Sequence, residues 1–337
     1  MDKLLEVKDL KVEFRSKRET VKAVDGVSFE VYEGETFGLV GESGCGKSQT
    51  CRAILSLLKK PGRVVGGEIL YKGADLVQMS PRQLRSIRGR EISVVFQEPM
   101  TSLNPVLSIK RQLYEVFPGA SSAEKWRRAT ELLRLVGIPS PEARIREYTH
   151  QFSGGMRQRA MIAIALGANP KLLIADEPTT ALDVTIQDQV LCLLENLKRD
   201  LGMSVILVTH DLGVIARLCD RVAVMYAGIV VEMADTVTLF SRPRHPYTYA
   251  LMGALPDQGK VGMELEAITG APPNLADPPA GCPFAPRCKF AEEACRDRRP
   301  DMAELEPGHF SRCRRREVVA SFRGIIPAPG VAERAQA

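Results

Sequence analysis

Short apolar runs bounded by turn residues recur along this chain, and stretches with helical spacing separate them. Residues 36–40, 92–96, 171–175 and 204–208 are nearly continuous apolar runs of strand length. That is the pattern of strands buried on both faces of a parallel sheet. Residues 4–7, 11–14 and 27–31 alternate, and the last run meets the turn Glu33-Gly34, which predicts a small antiparallel sheet. Residues 67–70 predict a further strand, and 221–226 with 229–232 a hairpin around Ala227-Gly228. Helical spacing falls on residues 48–55, 81–88, 123–136, 156–166 and 184–201. Ser80, Ser122 and Asp183 are the predicted N-caps of the second, third and fifth, and Gly137 stops the third. Residues 98–105 hold two prolines and predict irregular backbone, and residues 106–150 show no strand pattern. The expectation is an α/β core with a helical insertion at about residues 101–160.

One stretch in this pattern carries chemistry by itself. Gly41-Glu42-Ser43-Gly44-Cys45-Gly46-Lys47-Ser48 fits the phosphate-binding P-loop at every fixed position, with a predicted strand before it and a predicted helix, opening with Ser48-Gln49, after it. The glycines let backbone N–H groups converge on phosphate oxygens, Lys47 would reach the β and γ phosphates, and the Ser48 hydroxyl would hold Mg²⁺. The strand at 171–175 runs into Asp176 and Glu177. Two adjacent carboxylates at the end of an apolar strand are costly unless a cation or a reaction uses them. Asp176 is the candidate Mg²⁺ residue and Glu177 the candidate to polarise an attacking water. Gln97 ends the strand at 92–96, His210 follows the strand at 204–208, and Ser153-Gly154-Gly155 opens the helix at 156–166, a second anion-binding helix end. Phe14 lies upstream of the loop, where it would stack on adenine or serve as core.

Composition narrows the class. At 337 residues, 45% apolar and 26% charged, the chain has the make-up of a globular protein with room for one large domain and an appendage. A net charge of +5 with no long basic block before the tail gives no argument for nucleic acid. No signal-peptide shape opens the chain, and the longest apolar stretch, 222–231, is too short to span a bilayer. The expectation is a soluble cytosolic chain that meets membranes through a partner. Thirteen of the 22 prolines lie after residue 240, marking a loop-rich appendix at 241–320 and a tail at 321–337. Four of the eight cysteines, Cys282, Cys288, Cys295 and Cys313, fall there with spacing C-x5-C-x6-C-x17-C. In a reducing compartment such a group reads as a metal site, not a disulfide framework. Zinc prefers close ligand pairs, and four thiolates can instead hold an iron–sulfur cluster, whose frame tolerates wider gaps. His309 is a spare ligand candidate, and the arginines at 312 and 314–316 would offset thiolate charge.

Taken together and in this order, the motifs resemble the ATP-binding subunits of ABC transporters over residues 4–235. The resemblance implies a P-loop NTPase ABC cassette with a RecA-like parallel core, an antiparallel β subdomain and a helical insertion, in an ATPase portion at residues 1–240. It makes Gln97 the Q-loop glutamine and a Mg²⁺ contact, Phe152-Ser153-Gly154-Gly155-Met156 the signature, Asp183 the D-loop aspartate and His210 the switch histidine. Residues 98–105, His245-Pro246-Tyr247-Thr248 and Gly281-Cys282-Pro283-Phe284-Ala285-Pro286-Arg287-Cys288 are similar to the oligopeptide/dipeptide importer branch, where nickel importers also sit. Gln151 stands where that branch often carries a charged residue. The resemblance implies an ATPase on the cytoplasmic face of the inner membrane that drives peptide uptake. Its implied partners are a second ATPase subunit in a head-to-tail dimer, two transmembrane permease subunits and an extracytoplasmic peptide-binding protein, with no nucleic acid. It also implies a four-iron four-sulfur cluster on the late cysteines, expected to stabilise the appendix without touching ATP chemistry. Transport of nickel or another small solute, a non-transport ABC ATPase, and a metal-binding regulatory module are the alternatives.

Overall fold

Thirteen-residue strands start the chain. In the computed structural model, which describes residues 2–180, 182–254 and 268–322, β1 (Lys3–Arg15) pairs antiparallel with β2 (Thr20–Tyr32). After β3 (Thr36–Val40) and α1 (Lys47–Ile54) come β4 (Gly62–Tyr71) and β5 (Ala74–Asp75), which complete a sheet of order β2-β1-β4-β5. Leu5, Val7, Leu10 and Val12 of β1 and Val27, Phe29 and Val31 of β2 are buried. The two runs predicted at 4–7 and 11–14 are one strand. Its register shifts at the bulge between Val7 and Leu10, where Asp9 takes a φ of 45°. The bulge breaks the alternation that sequence periodicity detects.

Contacts divide the chain into two units, residues 79–208 and the remainder. The unit at 79–208 opens with α2 (Pro81–Ile87), capped by Ser80 in a reciprocal box with Gln83. Its sheet holds three parallel strands in the order β6 (Ile92–Val95), β7 (Leu172–Asp176) and β8 (Ser204–Thr209). Helices α3 (Pro99–Ser102), α4 (Ile109–Tyr114), α5 (Ser122–Leu135), α6 (Pro141–Arg144) and α7 (Gly154–Leu166) lie between β6 and β7. Residues 98–105 are therefore not wholly irregular, because Pro99 starts one helical turn where its missing N–H has no partner to lose. The cap of α5 is Ser121, not Ser122: the Ser121 hydroxyl accepts from Glu124 N–H at 3.2 Å. Helix α8 (Val184–Leu201) begins at Asp183, whose carboxylate accepts from Ile186 N–H at 2.9 Å.

The other unit resumes with α9 (Leu212–Leu218), β9 (Arg221–Tyr226), β10 (Ile229–Asp235), α10 (Thr236–Ser241) and α11 (Pro246–Gly253). The late segment adds α12 (Ala294–Asp297), β11 (Ala303–Glu306), β12 (His309–Ser311) and α13 (Arg316–Val319). Strand β9 is parallel to β3 and antiparallel to β10, and β12 joins β10 on its far side, giving the order β11-β12-β10-β9-β3. The segment expected to be a loose appendix thus extends the sheet of β10, β9 and β3 and buries Phe284, Cys295 and Phe322. His309, the spare ligand candidate, is paired with β10 through one ring nitrogen. Its Nε2 lies 2.8 Å from Glu232 Oε1 of β10, with both side chains buried. Among the described residues no helix is long and apolar enough to cross a membrane.

Candidate nucleotide site

Strand β3 is buried throughout and delivers the chain into the loop 41–48. The loop's glycines answer to space. A Cβ on Gly41 would sit 2.1 Å from the Met225 carbonyl oxygen, and one on Gly46, at φ 105°, 2.4 Å from that of Ala23. Lys47 starts α1, is buried, and turns back over its own loop, donating to the carbonyls of Gly41 at 2.7 Å and Glu42 at 3.0 Å. Cys45 is buried with its Sγ 3.8 Å from the Lys47 ammonium, and burial raises its thiol pKa. Ser43 and Gly44 are exposed, Ser48 and Gln49 half-buried, and Gln49 Oε1 is buried without a hydrogen-bond partner among the described residues. Phe14, on β1, lies against Gly62, where an added Cβ would meet its ring at 2.5 Å. His210 is exposed directly after β8.

In the unit at 79–208, Asp176 is buried as the last residue of β7. Glu177 comes next and takes a left-handed backbone, φ 48°. A bulky non-glycine residue there is uncommon, and such conformations gather at functional sites. Its N–H donates to Val208 O at 2.9 Å, so pairing with β8 fixes the turn. Glu177 Oε2 accepts from Gln97 Nε2 at 2.9 Å and from the Thr180 hydroxyl at 2.9 Å. Two residues predicted from separate strand ends, Gln97 and Glu177, are therefore brought together, and Thr180 joins them unforeseen. Ser153 caps α7 by accepting from Met156 N–H at 3.3 Å. Ser153 and Gly154 are exposed, and Gly155 lies against Ile186 of α8, where a Cβ would be 2.7 Å from its Cγ2.

The four late cysteines line one pocket with Phe284 and Arg312. All four are free thiols. Arg314 and Arg315 also line it, and the side chain of Arg316 lies outside the described residues. Burial pushes the Cys313 thiol up to about 12 and raises those of Cys282 and Cys288. A cation arriving there would displace protons. Among the described residues no three His, Cys, Asp or Glu side chains are arranged to hold a metal ion.

Two arginines of this cysteine segment reach out to the strands and loop that begin the unit. Arg287 forks onto Glu42 of the P-loop, with Nη1 at 2.7 Å from Oε2 and Nη2 at 3.0 Å from Oε1. Hydrogen bonding to Glu42 raises the Arg287 pKa still further. Arg299 meets Asp25 of β2 at 2.7 Å. Neither contact was foreseen, and no local signal reveals a pair 245 residues apart.

A glycine-bound loop closing on a buried lysine, together with a buried strand-end aspartate and an oriented glutamate, defines the class of P-loop nucleotide hydrolases. The ABC transporter family profile matches residues 24–180, and that of the oligopeptide/dipeptide transporter C-terminal region matches residues 231–295. The oligopeptide transport ATP-binding protein OppD of Bacillus subtilis is 49% identical over 313 residues, 91% of this chain and 87% of that one. The dipeptide transport ATP-binding protein DppD of the same organism is 49% identical over 317 residues, 93% of this chain and 95% of that one. A solved dimer of the ATP-binding cassette MJ0796 with ADP and Pi covers 69% of this chain and 98% of its own, at 30% identity and a TM-score of 0.62. This chain belongs to the ATP-binding proteins of ABC transporters, in their oligopeptide/dipeptide branch.

Proposed function

We propose that the chain binds and hydrolyses ATP to power uptake of di- or oligopeptides through a separate membrane permease. The observation that carries this reading is Glu177, held in a left-handed turn and oriented by Gln97 and Thr180. A carboxylate fixed this way takes the proton of a water that attacks the γ-phosphorus, as the bond to the ADP oxygen breaks. The P-loop amides and Lys47 hold the phosphates, His210 contacts the γ-phosphate, and Phe14 stacks on adenine. Ser48, Asp176 and Gln97 would hold Mg²⁺, which when bound neutralises developing phosphate charge. Ser153, Gly154, Gly155 and Asp183 serve the ATP of a second subunit in a head-to-tail dimer. The exposure of Ser153 and Gly154 supports this assignment.

Met100 and Val106, exposed at 65% and 76% after Gln97, fit a docking surface for a permease helix. In this reading residues 1–240 form the ATPase portion and the chain meets the inner membrane peripherally, with a peptide-binding protein on the far side. The cysteine pocket takes a four-iron four-sulfur cluster, which when bound staples the late segment. Four free thiols sharing one arginine-lined pocket, with no close ligand pair in their spacing, suit a cluster better than zinc. The test is reconstitution with the permease in proteoliposomes. Peptide-loaded binding protein should stimulate ATP hydrolysis several-fold, and stimulation by nickel alone would overturn the peptide assignment.

A further inference from the structure

Glu42 is a variable position of the P-loop pattern, yet its polar groups are held from several directions. Its carboxylate takes the Arg287 fork, and Arg287 is only 6% exposed. Its N–H donates to Tyr247 Oη at 2.9 Å, and its carbonyl accepts from Lys47 Nζ at 3.0 Å. Tyr247 is itself placed by His245, whose Nδ1 accepts from Tyr247 N–H at 3.1 Å as the N-cap of α11. Arg287 is placed from behind, donating to Tyr226 Oη at 3.1 Å and Thr269 O at 3.0 Å. It directly precedes Cys288, so the backbone that lines the cysteine pocket also carries the guanidinium that grips the P-loop.

We propose that Arg287 is a positioning residue for the P-loop, and that through it the cysteine segment sets nucleotide affinity. The proposal rests on the reading of residues 41–48 as the phosphate site. Two physical effects follow from the fork. It cancels a carboxylate that would otherwise repel phosphate from within the loop itself. It also fixes the Glu42 backbone, whose carbonyl shares the Lys47 ammonium, so the loop is preorganised before nucleotide arrives. A change at the thiols that displaces Cys288 displaces Arg287 with it.

The test measures ADP affinity by titration calorimetry on the full chain, with a melting curve for every variant. Arg287→Met should weaken ADP binding roughly ten-fold, the scale of one charge-assisted fork, and Arg287→Lys should fall between it and wild type. Adding Glu42→Gln to Arg287→Met should recover most of the loss, because the uncompensated charge is gone. A purely structural arginine would give no such recovery. Cys288→Ser should weaken ADP binding in the same direction. Wild-type affinity in Arg287→Met, no recovery in the double variant, or unchanged affinity in Cys288→Ser each overturns the proposal. If Arg287→Met does not fold, Arg287→Lys with and without Glu42→Gln reads the same cycle. A wild-type chain that binds no ADP would instead overturn the phosphate-site reading.

Discussion

Backbone conformation fixes much of the nucleotide machinery, whereas side chains fix the cysteine segment. At Gly46 and Glu177 the fixing element is backbone conformation: positive φ, and main-chain oxygens too close to admit a Cβ or already paired across strands. At the cysteine segment it is side chains, with one arginine fork, a second arginine paired through a single nitrogen, and four thiols around one pocket. Backbone geometry is set once folding is complete. Under the proposal for Arg287, chemistry at the thiols loosens such side-chain attachments while the sheet stays intact. The contrast gives one region the constancy that catalysis needs and makes the other adjustable.

The largest effect is expected where backbone and side chain act together. Glu177→Gln keeps the turn but removes the proton acceptor, so turnover should drop by roughly 10²–10⁴ while ATP still binds. Single-turnover hydrolysis in the assembled transporter measures this, and wild-type turnover would remove Glu177 from the chemistry. Gly46→Ala comes next. With a Cβ 2.4 Å from the Ala23 carbonyl oxygen the loop must shift, and ADP affinity should collapse with a loss of about 1–3 kcal/mol in stability. Calorimetry and denaturant melts of the variant separate the two losses. On the adjustable side, the proposed cluster predicts that anaerobically purified wild type carries iron and sulfide and that Cys288→Ser lacks both, with the sheet's circular dichroism retained. A colourless wild type carrying stoichiometric zinc would decide for the other metal. Arg299→Met removes a half-buried pair to Asp25 and should lower stability by only about 1 kcal/mol. Phe14→Leu should be smallest, shifting ATP affinity a few-fold through lost stacking, and an unchanged ATP-to-GTP preference would place Phe14 in the core alone.

The same contrast governs what could be read from residues alone. Strand 36–40 and helix 184–201 were legible to the residue, because apolar continuity and the Asp183 cap are local signals. The P-loop was legible because backbone-dictated sites demand particular residues at fixed spacing. Arg287 and Glu42 were not, since either residue alone is an ordinary surface charge and only the fold joins them. The bulge at Asp9 disguised one strand as two, and the neighbouring serines 121 and 122 offered equivalent caps. The hairpin of β11 and β12 escaped notice because its strands are short and β11 carries two glutamates.

That hairpin bears on how the chain can be shortened. Glu232 and Met233 of β10 pair with Ser311 and Phe310 of β12. A protein cut at residue 240 would leave β10 with raw N–H and C=O groups beside the buried Val230 and Val231. Such an edge templates pairing with other chains. The truncated cassette should precipitate or form strand-swapped oligomers on purification, and adding back residues 301–312 on a tether should keep it in solution.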